Sequence, residues 1–118
     1  MAVTVRQLHE RAMALADDAL IARTRGEMSR VKRLSRRAFR LERRAAQSVP
    51  LAPESEPTRS ILYRSAAWLA LDSGAPEDAL EMVKFGLAGD PPILVRRELF
   101  DARRHARAAL KPSEEPPF

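Results

Sequence analysis

Two histidines, His9 and His105, are the only imidazoles in the chain, and there is no cysteine. A metal site needs ligands grouped at recognisable spacings, and neither histidine has such a neighbour in sequence. His105 lies in Arg103-Arg104-His105-Ala106-Arg107, where the flanking cations oppose a metal ion. The acid pairs Asp17-Asp18 and Glu77-Asp78 are adjacent. On a helix, neighbours point about 100° apart, so these pairs do not form a facing acid–base dyad. Ser35, Ser60, Ser65 and Ser73 have no base at a spacing that marks a nucleophile, and no Gly-rich phosphate loop is present. These observations predict a protein that is not an enzyme and uses no cofactor and no metal.

Arginine is the most prominent chemical group. Arg30, Arg33, Arg37, Arg40 and Arg44 recur at intervals of three and four, with Arg36 and Arg43 further round the same helix. From Met1 to Pro50 there are 12 Lys+Arg against 5 Asp+Glu, a net of +7. From Leu51 to Phe118 there are 9 against 11, a net of −2, which leaves +5 for the chain. A basic face of this kind suits phosphates or an acidic protein surface. It is equally what a solvated face looks like when aliphatic arginine stems cover apolar surface. No aromatic residue interleaves with the stripe, which argues against single-strand binding by base stacking.

These groups must be positioned by helices. No alternating run bounded by turns is present, and the chain is dominated by the helix formers Ala, Leu, Arg and Glu. Thr4 and Gln7 have capping-box spacing, with Val3 and Leu8 placed to staple across it. Leu8, Ala12, Leu15, Ala19 and Ala22 continue a first helix that ends near Arg25, before Gly26. A second, from Glu27 to about Ser48, carries the seam Val31, Leu34, Ala38, Leu41 and Ala45, widened by Met28 and Phe39. Pro50, Pro53 and Pro57 make 49–57 a linker without helix. A third helix from Thr58 to Ser73 is apolar almost all round and is expected at the centre. Gly74 caps it. Pro76, followed by Glu77 and Asp78, opens a fourth helix that stops at Gly89. Asp90 is expected to cap a fifth helix with Pro91 in its first turn and Ile93, Leu94, Leu99, Phe100, Ala102 and Ala106 on its apolar side.

The fold class is therefore all-α: two antiparallel helical hairpins (4–48 and 58–89) and a closing helix (91–110). They are expected to form one domain over 1–111, with a disordered tail at 112–118. Ala66, Ala67 and Ala70 on the third helix and Ala79 and Gly86 on the fourth are small enough for two backbones to approach closely.

Tyr63 to Pro91 resembles one tetratricopeptide repeat. Tyr63 stands where that repeat usually has Trp, Ala67 takes the small position four residues on, and Gly74 takes the turn. Ala79 matches its near-invariant alanine, Gly86 its second small position, and Pro91 closes it. The departures are Ala66 for Leu, Ala70 for an aromatic residue and Val83 for Phe. Leu15, Ala19, Gly26, Val31 and Ala38 form a weaker upstream match, 48 residues away when measured from Gly26 to Gly74. The segments TRSILYRSAAWLALDSG and GLAGDPP also resemble small bacterial proteins of this helical-hairpin type.

That resemblance implies a right-handed stack of the hairpins, with a compact five-helix bundle as the alternative arrangement, and a concave groove lined by the first helix of each hairpin. Leu20 and Arg23 of the first helix would face it, with Arg64, Ser65, Trp68, Leu71 and Asp72 of the third. Trp68 either stands partly exposed in that groove or plugs the core against the fifth helix. The expected function is a non-catalytic adaptor that binds a protein or peptide there. Two alternatives stand beside it: a nucleic-acid-associated protein using the arginine face, and a structural homo-oligomer such as a dimer whose ends cover each other. No leader or membrane-spanning run is apparent, so the protein is expected in the cytoplasm, away from membranes.

Overall fold

The computed structural model describes residues 2–112. Five α-helices follow in order: α1 (Val5–Thr24), α2 (Met28–Gln47), α3 (Thr58–Asp72), α4 (Pro76–Ala88) and α5 (Ile93–Leu110). The described residues contain no strand. Each helix packs against the next, and α3 also packs against α5. The molecule is elongated, with extents of 56 × 29 × 22 Å.

Local chemistry sets the helix ends. The Thr4 hydroxyl accepts from the Gln7 backbone N–H at 3.1 Å, and the Thr4 N–H donates to Gln7 Oε1 at 3.0 Å, so the capping box is closed. Both hairpins turn in the same way. Gly26 has φ +72°, its N–H donates to the Arg23 carbonyl, and the Glu27 N–H donates to that of Ala22. Gly74 has φ +80°, its N–H donates to the Leu71 carbonyl, and the Ala75 N–H donates to that of Ala70. Both are Schellman motifs, which need a residue that tolerates the left-handed region.

Helix α3 is the most buried. Leu62, Tyr63, Ala66, Ala67, Leu69 and Ala70 all enter the core, which continues through Ala79, Met82 and Val83 of α4 and Leu99, Ala102 and Ala106 of α5. Gly86 is small for two neighbours at once: a Cβ there would stand 3.0 Å from Leu99 Cδ2 and 3.2 Å from Tyr63 Cβ.

Four expectations are corrected. The buried seam of α2 is Val31, Ser35, Ala38, Glu42 and Ala45, with Phe39 and Ala46 beside it. It shares every second member with the expected seam but replaces Leu34 and Leu41, which are half-buried, by a serine and a carboxylate. Met28 is exposed. The linker contains one 3-10 turn, Pro53–Ser55, opened by a proline whose missing N–H is not needed there. Helix α5 starts two residues late: its N-cap is Pro92, no side chain caps it, and Asp90 is exposed. Ile93 and Leu94 in its first turn face outward at 68% and 67% exposure, and the inward stripe is Val95, Leu99, Ala102 and Ala106. The expected tail lies, from residue 113 on, outside the described residues.

Candidate functional site

Helices α1 and α3 flank a groove whose floor is α2. On α3, positions 58, 61, 62, 69 and 72 fall at helical spacing on the side turned to α1. Thr58, Ile61 and Leu62 join Val5, Arg6 and His9 around a pocket of about 370 Å³. Further along, Leu69 and Asp72 join Ala16, Leu20, Arg23 and Ser35 around a second of about 280 Å³. The small Ser35 on the floor leaves room for the second pocket. Their α1 walls are centred about 12 residues apart, which is roughly 18 Å of helix.

A hydrogen-bonded histidine–carboxylate pair, buried on its carboxylate side, stands on the same floor. His9 Nδ1 lies 2.9 Å from both carboxylate oxygens of Glu42, whose side chain has no exposure at all. Burial pushes the Glu42 carboxyl above its usual range, because desolvation disfavours the charged form. The hydrogen bond and charge of His9, then the Ser65 hydroxyl and the Arg64 guanidinium, oppose that shift. Neither histidine has a ligand-spaced partner in sequence, yet His9 finds its partner 33 residues away.

The expected groove residues separate into four sets. Leu20, Arg23 and Asp72 come together at the second pocket, where Arg23 reaches Asp72 at 3.6 Å. Burial also raises the Asp72 carboxyl, against the opposing charge of Arg23. Ser65 turns to Glu42. Arg64 and Trp68 turn to α5: Arg64 pairs with Glu98 at 2.9 Å, and the half-buried Trp68 ring meets His105 edge-on at 5.2 Å. Leu71 is half-buried against the core.

The expected basic face also divides. Arg36 and Arg43 each lie over the buried Phe39 ring, 5.0 Å from its centroid, and Arg36 donates to Asp78 at 2.6 Å. These two arginines have structural work. Arg30 stands 4.0 Å from Glu27. Arg33, Arg37, Arg40 and Arg44 are exposed and have no carboxylate partner among the described residues. A cleft with no signal in the sequence lies between α4 and α5, about 510 Å³ in volume, where Leu80 and Leu87 are rimmed by Lys84, Arg103 and Arg107.

Among the described residues, no three metal-ligating side chains gather, and no helix is long and apolar enough to cross a membrane. Comparison of the chain with protein-family models, with curated proteins and with solved structures finds no match.

Proposed function

We propose that the protein is a non-catalytic interaction module that seats a segment of another protein in the groove between α1 and α3. The observation that carries this reading is the pair of pockets along one groove, with the His9–Glu42 pair on their common floor. Two concave sites roughly 18 Å apart suit two side-chain anchors on one ligand. That separation is about five residues of extended chain or about twelve of helix. The polar groups differ along the groove: Arg6 and His9 border one pocket, while Asp17 and Asp72, the latter paired with Arg23, border the other. A ligand acidic near one anchor and basic near the other fits them. Two hairpins closed by like turns, with the first helix of each bordering the groove, support a tetratricopeptide-like arrangement, although fold alone does not dictate function.

Selection from a random displayed-peptide library tests the proposal. Enriched peptides are expected to carry two apolar anchors and to lose binding at least tenfold against Leu20→Glu and Asp72→Arg variants that fold normally by circular dichroism. Peptides that bind those variants as tightly as the parent would place recognition elsewhere. A concentration-dependent mass with no enriched peptide would favour self-association.

A further inference from the structure

We propose that the outward face of α2, together with the corner at Ser73, binds the phosphate backbone of duplex nucleic acid. This site is separate from the groove. At about 100° per residue, Arg33 and Arg37 point roughly 200° away from Ser35, and Arg40 and Arg44 roughly 200° away from Glu42. Ser35 and Glu42 face the groove, so the free arginines face the opposite side of the helix.

Apart from Arg36, which pairs with Asp78, the exposed arginines of this face have no carboxylate partner among the described residues. Helix α2 holds eight Lys or Arg and a single acid, Glu42, whose carboxylate is buried under α1. A solvated helix face normally sets opposite charges four residues apart. Helix α1 does so with Arg6 and Glu10, and α5 pairs Arg104 with Asp101 three residues apart. Helix α2 does the reverse: Lys32 and Arg36, Arg33 and Arg37, Arg36 and Arg40, and Arg40 and Arg44 are like charges four apart. Each such pair opposes helix formation, and an anion bound on the face would relieve that repulsion.

Geometry selects the anion. Lys32, Arg33, Arg36, Arg37, Arg40 and Ser73 surround a cleft of about 420 Å³. Arg36 is fixed there by Asp78 and by the Phe39 ring, and a fixed guanidinium fork matches phosphate oxygens. From Arg33 to Arg44 the row runs about 16 Å, the axial length over which one strand of B-form DNA carries about five phosphates. The aromatic side chain on this helix is buried, which leaves nothing for unpaired bases to stack on. The one large apolar residue exposed on α2 is Met28, at its start, so the row has no apolar border to enter a membrane surface.

Fluorescence anisotropy with a labelled 24-base-pair DNA duplex, the matching RNA duplex and the single strand, from 50 to 300 mM salt, tests this. Four to five phosphate contacts give a slope of log K against log salt of about −4 for the DNA duplex. Arg37→Gln and Arg40→Gln are each expected to weaken duplex binding several-fold and to reduce the slope by about one, without sequence preference and without a lower Tm. The Arg33→Glu/Arg37→Glu/Arg40→Glu triple variant is expected to abolish binding, while Leu20→Glu in the groove leaves it intact. A slope near zero, or parental affinity in the two glutamine variants, would overturn the proposal. So would binding to poly-glutamate or to anionic vesicles with none to either duplex.

Discussion

Glu42 lies where α1, α2 and α3 exclude water, and this makes one carboxylate a pH sensor of stability. Its carboxyl is held above its usual value of 4.5 by burial. In the folded state it therefore keeps its proton to higher pH than in the unfolded state. Between the two values the folded chain binds more protons, so the contribution of this carboxyl to stability is fully present below pH 4.5 and is lost as pH rises through the folded value. Glu42→Gln keeps a partner for His9 and removes the titration. Denaturant unfolding of both proteins at a series of pH values from about 4 upward is expected to show a falling contribution in the parent that the variant lacks. Parallel curves would mean that the His9 charge offsets burial fully. Asp72, raised from 3.8 by the same cause, acts in the same direction in both proteins and cancels in the comparison. Glu42 was not legible as an inward residue because the adjacent Leu41 offers an apolar seam of its own and its partner is 33 residues away. One signal was present: as the only acid in α2 it falls on the period set by Val31, Ala38 and Ala45.

At the scale of elements, tight corners and small residues were readable, and faces were not. The Thr4 box, the glycines at 26 and 74 and Pro76 at the start of α4 each follow from one residue's own backbone or side-chain chemistry. Choosing which stripe of α2 turns inward needed the positions of α1 and α3, because two stripes share Val31, Ala38 and Ala45. The late start of α5 has a local cause: a residue before proline is pushed out of the helical region, and both Asp90 and Pro91 precede prolines. Gly86 tests the α3–α4–α5 contact. Larger side chains there meet Leu99 and the Tyr63 stem, both within a packed core. Gly86→Val is expected to destabilise by about 1–3 kcal/mol through overpacking, only partly offset by better helix propensity. Thermal unfolding followed by circular dichroism checks it, and an unchanged or higher Tm would mean that α5 can move away freely. Gly89 is small for another reason, since a Cβ would stand 2.7 Å from Glu56 Oε1 and 2.8 Å from Arg59 Nη1.

Over the whole molecule, the net charge of +5 is concentrated in the first half of the chain, where four exposed arginines without a carboxylate partner, Arg33, Arg37, Arg40 and Arg44, lie along α2. Self-repulsion there competes with ion pairs that join helices, such as Arg36–Asp78 and Arg64–Glu98. The four like-charge spacings on α2 each cost about 0.2–0.5 kcal/mol at low salt, so together they oppose folding by roughly 1–2 kcal/mol. Cross-helix pairs that are half-exposed return less than about 1 kcal/mol each. Raising the ionic strength from 0.01 to 0.15 M shortens the screening length from about 30 to about 8 Å and weakens both. Repulsion is spread over more groups and longer distances, so it is screened more completely. The Tm in sodium chloride is therefore expected to rise by roughly 2–5 °C over that range. A fall would mean that the cross-helix pairs dominate. Sulfate separates screening from site binding. At matched ionic strength it should raise the Tm beyond chloride, both by exclusion from protein surface and by occupying the α2 cleft. Only the second part depends on Arg37 and Arg40. In an Arg37→Gln/Arg40→Gln double variant the sulfate excess is expected to shrink while the exclusion effect stays. An undiminished excess would show that anions do not concentrate on this face.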